Sequence, residues 1–294
     1  MIAVTGATGQ FGRIVIQFLL RKGFRKDQIA ALTRNEEKPS ELKGLGLSII
    51  KGDYDDYASL VGAFTGVNKL LFVPGRELRN RLQQNENVIN AAREAGVHHV
   101  VYASFERKNE TDSSPLRMIA EAHLLTEKLL KESGLTYTVL KNNLYMDLIP
   151  DFIGKDILQT GTIYLPAGDG KVSAALRSDM AGAAAEVLIS AGHENKVYDI
   201  TNTEAYSYAD IAKCLSEITG KTINYISPAP EEFAEALRKA GVSPRVAEIT
   251  MGFALAQEQG DLDMVSDDLA NLIKRKPVSL KDYLKHFYQG QLKR

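Results

Sequence analysis

The sequence predicts an α/β fold, a doubly wound parallel sheet carrying a smaller C-terminal α/β lobe. Three observations lead there. Short apolar runs alternate with segments whose apolar residues recur at helical spacing, a glycine-rich turn joins the first run to the first helix, and the alternation breaks after Lys141. Strands separated by helices imply parallel pairing with both faces of the sheet covered.

Residues 2–5 form the first apolar run, and Ile14, Val15, Phe18 and Leu19 share one face of the helix behind it. Strands follow over 29–33 and 48–51, then a helix over 58–64 and a strand over 69–73. A helix over 79–95 leads into a strand over 99–104, and a helix over 116–132 leads into a strand over 137–141. The stretch NNLYMD after Lys141 is irregular, and a strand over 161–165 precedes the turn AGDG at 167–170. Helices are expected over 179–190, 208–219, 231–240, 244–259 and 280–289, with Ser207 and Ser279 as N-caps, and strands over 196–200 and 222–226. The expected division is residues 1–141 as the nucleotide-binding part and 142–294 as mainly a substrate lobe, with segments around 171–203 packing back on the first part. No Pro-, Gly- or Ser-rich linker separates the two, so the lobe is not expected to be independent.

A chain of 294 residues holds roughly two units of about 150 residues. Its 36 Lys and Arg nearly balance 37 Asp and Glu, and the resulting charge of −1 gives no general attraction to nucleic acid or anionic membranes. Cys214 is the single cysteine, so no internal disulfide or thiolate cluster forms, which suits a reducing compartment. No apolar run reaches membrane-spanning length, and MIAVTGATG enters a strand without a signal-peptide pattern. A cytoplasmic location is the expectation, with monomer and homodimer both open.

The turn Gly6-Ala7-Thr8-Gly9-Gln10-Phe11-Gly12 spaces three glycines three residues apart between a strand and a helix. One glycine permits the tight turn, one lets the backbone approach a pyrophosphate, and one lets helix and strand pack closely, while the helix start offers free N–H groups. This is the phosphate turn of a Rossmann-like dinucleotide site, and an ordinary glycine turn is the alternative. Where an NAD site carries an acidic residue after the second strand, this chain has Arg34, whose guanidinium suits a 2′-phosphate and points to NADPH. A solvated surface arginine is the plainer reading, and Glu36 and Glu37 nearby prevent complete exclusion of NAD. Asp53 ends the third strand where an adenine would lie, or caps the next helix. His98 and His99 would point to opposite faces of a strand and do not make a metal site. Cys214 shares a helical face with Ile211, Leu215 and Ile218 and reads as core.

With GATGQFG, Arg34, GDYDD at 52–56 and LLFVPG at 70–75, the sequence resembles the NmrA-like atypical short-chain dehydrogenases across nearly its whole length. GHENK at 192–196 and LKNNLY at 140–145 make it most similar to the branch of bacterial NADPH-dependent quinone oxidoreductases and triphenylmethane dye reductases. The resemblance implies that Gly6, Ala7, Thr8, Gly9, Gln10, Phe11, Arg34, Val73, Pro74, Gly75, Lys141, Asn142, Asn143 and Tyr145 line the cofactor, with Arg177 a less specific match. The Tyr-x-x-x-Lys pair of the wider superfamily is missing: aligned on Glu127, Ile119 stands at the tyrosine and His123 at the lysine. Ser104 lies near the family's catalytic serine or is a strand-end hydroxyl. His123 is a packed histidine or a substrate contact, and Tyr145 covers the substrate or forms an aromatic wall. These features favour an NADPH-dependent reductase passing hydride to a small conjugated acceptor, a quinone first, because such acceptors stabilise their own product without a positioned acid. The alternatives are a non-catalytic NADP(H) sensor of the NmrA type and a sugar-nucleotide epimerase, the latter opposed by the missing pair.

Overall fold

The apolar runs of the first half are buried on both faces, as a parallel sheet requires: neither Ile29–Thr33 nor His99–Phe105 has an exposed residue. The structure is a computed structural model that describes residues 1–34, 42, 44–75, 77 and 79–292, with side chains through residue 289. Asn35, Glu36 and Glu37, the last two weighed for cofactor choice, lie outside the described residues. In chain order come β1 (Ile2–Val4), α1 (Gln10–Arg21), β2 (Ile29–Thr33), β3 (Ser48–Lys51), α2 (Tyr57–Phe64), β4 (Lys69–Phe72), α3 (Arg81–Glu94), β5 (His99–Phe105), α4 (Arg117–Glu132) and β6 (Thr136–Asn142). They are followed by α5 (Ile149–Ile153), α6 (Ile157–Thr160), β7 (Thr162–Tyr164), α7 (Arg177–Ile189), β8 (Lys196–Ile200), α8 (Tyr208–Thr219), β9 (Asn224–Ile226), α9 (Pro230–Lys239), α10 (Pro244–Glu258), α11 (Asp268–Ile273) and α12 (Leu280–Leu292).

Seven strands pair in parallel in the order β3-β2-β1-β4-β5-β6-β8. The order reverses direction at β1, which lies between β2 and β4, and a doubly wound sheet opens a crevice beyond the strand ends at such a point. Helices α1 and α7 cover one face through Val15, Ile16, Leu19, Ala183 and Val187. The opposite face packs on α2, α3 and α4 through Leu60, Phe64, Val88, Ile89 and Leu130. A third core, with Leu165, Ile211, Leu215, Phe233 and Leu284, holds the lobe together around the β7-β9 pair.

The rhythm does not stop at Lys141. β8 and α7 rejoin the main sheet beyond β6, and only the intervening and following segments build the lobe. The short helices α5, α6 and α11 escaped the sequence reading because runs of four to six residues carry too little periodicity. Among the described residues no helix is long and apolar enough to cross a membrane. Half-buried Cys214 borders the third core, and burial pushes its thiol pKa up.

The GHENK segment is a latch at the edge of the sheet remote from the crevice. Asn195, at φ 56°, donates its backbone N–H to the Tyr137 carbonyl at 2.6 Å, and Thr138 Oγ1 donates to the His193 carbonyl at 2.6 Å. The His193 ring bonds Ser190 Oγ at 2.9 Å and the Tyr198 hydroxyl at 2.8 Å. These bonds fix the edge strand β8 against β6, and with it the register of Asp199 beside Lys141.

Both expected N-caps are present. Ser207 Oγ accepts the Asp210 N–H at 3.2 Å while Asp210 Oδ2 accepts the Ser207 N–H at 2.9 Å, and Ser279 Oγ accepts the Asp282 N–H at 3.1 Å. Ser207→Ala should lower unfolding stability by about 1 kcal/mol with an unchanged denaturant slope, as read by urea denaturation.

Candidate functional site

A cleft of about 750 Å³ opens at the reversal point, bounded by the glycine turn, the ends of β2 and β3, and the segment after β4. Gly6 takes φ +59°, a left-handed conformation that returns the chain so that the Gly9 N–H reaches the Gly6 carbonyl at 2.9 Å. A Cβ on Gly12 would sit 2.5 Å from the Gly6 carbonyl oxygen, so only glycine allows α1 this close to the turn. Gly9 is the N-cap of α1 and no side chain caps the helix, which leaves first-turn N–H groups available at the cleft wall. Arg34, exposed just past β2, stands on the same wall.

The opposite wall is set by Thr5, Tyr54 and Val73. Thr5 Oγ1 accepts the Val73 N–H at 2.8 Å, and the Tyr54 hydroxyl donates to the Val73 carbonyl at 2.8 Å. Burial raises the Tyr54 hydroxyl pKa far above its ordinary value. Asp53 lines the cleft but does not cap α2: Asp56 does, accepting the Ser59 N–H at 3.1 Å, while Asp53 Oδ1 closes a local turn on the Asp55 N–H at 3.1 Å. The capping alternative is thereby corrected, and its reason is spacing, since Asp56 directly precedes the first helical residue. Gln84 donates to both Asp55 oxygens at 3.1 and 3.0 Å, and Arg81 donates to the Gly75 carbonyl at 2.8 Å. The sequence reading missed Asp55, Gln84 and Arg81; the two on α3 share its first turn, immediately behind LLFVPG, which is the one local signal available.

At the far end Tyr145 and Phe11 stack with ring centres 6.2 Å apart, and the Arg177 guanidinium lies 4.4 Å from the Tyr145 ring centre and bonds Gln10 Oε1. Burial pushes the Tyr145 hydroxyl up to about 12. The cleft thus brings together Gly6, Thr8, Gly9, Gln10, Phe11, Gly12, Arg34, Asp53, Val73, Pro74, Gly75, Tyr145 and Arg177.

Ala7, Lys141, Asn142 and Asn143 are not on its wall. Ala7 is fully buried under the turn. The Lys141 side chain enters a second groove of about 540 Å³ between α4 and β8, 4.0 Å from Glu110. Asn143 donates to the Leu262 carbonyl at 3.0 Å and to Ser173 Oγ at 3.2 Å, tying β6 to the lobe. Asn142 is buried at the end of β6, and its Oδ1 has no hydrogen-bond partner among the described residues.

Ser104 and His123 also lie off the cleft wall, in a buried polar chain. Ser104 Oγ donates to Glu127 Oε1 and lies 3.4 Å from His123 Nδ1, which bonds the Tyr102 hydroxyl at 2.8 Å. Arg107 closes the chain on Glu127 at 3.1 Å. Burial, then the charges of Arg81 and Arg107, push the His123 imidazole down to about 3. Ile119 packs half-buried on the lobe core.

A profile of the NmrA-like family matches residues 1–284. The chain belongs to the NmrA-like family. It is 37% identical over 290 residues to quinone oxidoreductase 2 of Escherichia coli, covering 98% of this chain and 99% of that protein. The crystal structure of an NADPH-dependent quinone oxidoreductase from Escherichia coli, complexed with NADPH, matches with TM-score 0.90 at 36% identity, covering 98% of this chain and 100% of the other. The triphenylmethane reductase of Citrobacter, complexed with NADP(H), matches with TM-score 0.89 at 38% identity, covering 97% and 99%. An NAD(P)H azoreductase of Xenophilus azovorans is 30% identical over 251 residues, 84% of each chain. The glycine turn and the sheet reversal of this NmrA-like protein therefore stand in a frame shared with oxidoreductases.

One carboxyl close to this frame, that of Glu106, lies beside Asp199 in the fold and is held far from its ordinary pKa. Burial, then the hydrogen bond and charge of Asp199, push the Glu106 carboxyl up to about 8 against a usual 4.5, while Lys141 and Arg107 oppose the rise. Between those values the folded chain holds a proton that the unfolded chain releases. Its stabilising effect is complete below about pH 4.5 and is lost as pH rises through 8. Glu106→Gln cannot titrate, so the melting temperature of the wild type relative to this variant should fall steadily from pH 5 to pH 8; a constant difference contradicts the assignment.

Proposed function

We propose that this NmrA-like chain is an NADPH-dependent reductase that delivers hydride to a small conjugated acceptor, with quinones first. The observation that carries the reading is the cleft itself, where uncapped N–H groups of α1 and the Arg34 guanidinium share one wall. The residues present fit the cofactor. The first turn of α1 suits a pyrophosphate and Arg34 suits a 2′-phosphate. NADPH, when bound, supplies the hydride.

The chain's own groups have separate tasks. Gly6 and Gly12 bring the backbone to phosphate distance, and the Thr5-Val73-Tyr54 bonds hold the facing wall at a fixed separation. Tyr145, stacked between Phe11 and Arg177, closes the end of the cleft to water. Phe105, at the end of β5, meets Phe253 edge to face at 6.1 Å, and Phe253 meets Phe152 in the same way at 6.0 Å, an apolar surface for a flat conjugated ring. Neither of the two groups proposed for proton transfer, Tyr145 and His123, is poised to give up a proton at neutral pH. The Tyr145 hydroxyl, held at about 12, keeps its proton, and His123, held at about 3, has none to give. An acceptor whose reduced form is a delocalised, weakly basic anion needs neither and takes its proton from water.

Quinone-dependent oxidation of NADPH, followed at the nicotinamide absorbance, tests the reading; tight NADPH binding without turnover on any quinone or dye favours the sensor instead. Arg34→Ala should weaken NADPH relative to NADH by about 1.5–3 kcal/mol, the scale of hydrogen bonds to charged groups, in paired titrations. Equal losses for both cofactors count against the 2′-phosphate assignment. In single turnovers at saturating quinone, the rate should stay flat from pH 5 to pH 7, and His123→Ala should retain it within a few-fold, whereas loss of a general acid typically costs about 10²–10⁴-fold.

A further inference from the structure

Arg81, the first residue of α3, is a buried cation that the cofactor reading leaves unexplained. It is 9% exposed, its Nε has no hydrogen-bond partner, and among the described residues no carboxylate pairs with it. Among the described residues its one hydrogen bond is to the carbonyl of Gly75 on the cleft wall, at 2.8 Å. Its other electrostatic neighbours are the Tyr102 hydroxyl, His123 and Arg245, none of which offers a negative charge, and burial lowers its own pKa. Among the described residues the one carboxylate on that rim outside Asp53 and Asp55, Glu77, is exposed and makes no ion pair with it, while Asp55 is engaged by Gln84. A buried guanidinium without a counter-charge is strongly unfavourable unless something supplies one. The N-terminus of α3, whose N-cap Asn80 makes no side-chain cap, adds positive potential at the same point.

We infer that Arg81 is the charge-selecting residue of the acceptor site, placed to receive an acceptor oxygen that is anionic or becomes so. The inference rests on the reductase reading. In that reaction a quinone gains a hydride and becomes the hydroquinone monoanion, NADPH becomes NADP⁺, and the single proton that completes the hydroquinone comes from water. A fixed cation favours that change and favours acceptors that already carry an ionised oxygen, such as hydroxynaphthoquinones. It disfavours cationic triphenylmethane dyes, so the chain is a quinone reductase in preference to a cationic-dye reductase.

The test measures dissociation constants on the NADP⁺-loaded protein for three probes: ionised 2-hydroxy-1,4-naphthoquinone, neutral 1,4-naphthoquinone and cationic crystal violet. Arg81→Gln keeps a donor for Gly75 but removes the charge. It should weaken the anion about tenfold or more while leaving the neutral quinone and NADPH within about twofold, and should tighten the dye. Arg81→Lys should retain the anion within a few-fold. In the unaltered protein the anion should weaken with added KCl and the neutral quinone should not. Equal effects of Arg81→Gln on all three probes, or no effect, overturn the inference. If that variant does not fold, the absence of a salt effect specific to the anion overturns it instead. Charge-selective binding without NADPH oxidation by any acceptor would leave the Arg81 assignment standing and remove the reductase reading, so the two failures are distinct.

Discussion

The left-handed turn at Gly6 is the constraint on which the site depends. β1 is three residues long and ends between two parallel neighbours, so the chain must leave the sheet at once and begin α1 almost on top of the strand end. That is possible because Gly6 accepts φ +59° and Gly12 has no side chain where the Gly6 carbonyl passes. The consequence is electrostatic. A helix that begins this abruptly has no room for a capping side chain, and its unsatisfied N–H groups face the crevice that the sheet reversal opens. The second wall is matched to the first through Thr5, which leaves the β1 ladder to bond Val73 with its side chain.

The residues that the family resemblance places at the proton-relay positions point inward. With Ile119 in place of the tyrosine, the hydroxyl and imidazole that remain, Ser104 and His123, satisfy each other and Tyr102, Glu127 and Arg107 within the layer between β5 and α4. Such a network stabilises when every member is paired and penalises any change that strands one of them, because an unpaired buried charge costs more than the pair contributes. Ser104 and His123 therefore have an internal structural role, and their presence near the expected catalytic positions is compatible with chemistry that does not use them.

The parts of this arrangement legible in the sequence are those with a strong local cause. Glycine spacing, period-two and period-3.6 burial, and the serine of a capping box are each decided within a few residues, so the sheet, the long helices, Ser207 and the glycine-turn wall of the cleft were readable, while Val73 to Gly75, Tyr145 and Arg177 came only from the family resemblance. Asp53 shows the limit of the method: three carboxylates lie within four residues, and which one caps α2 depends on where the helix starts. Lys141 and Asn143 show another, because alternation along β6 sends the first into the α4 groove, while the second is captured by Leu262, a residue 119 positions away. Arg81 was invisible for a related reason. An arginine in a polar segment reads as surface, and its burial is created by the approach of β5 and α4, which no local pattern records.

The groups around the cleft divide into two electrostatic classes, and the division fixes how the site responds to its surroundings. His123 and Tyr145 are driven by burial to opposite sides of neutrality, so neither changes charge in the physiological range. Among the charged groups, Arg34 and Arg177 share the cleft wall with Asp53, Asp55 and Glu77, and Arg81 lies behind the Gly75 carbonyl. A cleft built this way meets a polyanionic nucleotide with a cation, Arg34, on the wall of the glycine turn. Its sensitivity is to ionic strength more than to protons, and most strongly so at exposed Arg34, where counter-ions screen the phosphate contact directly.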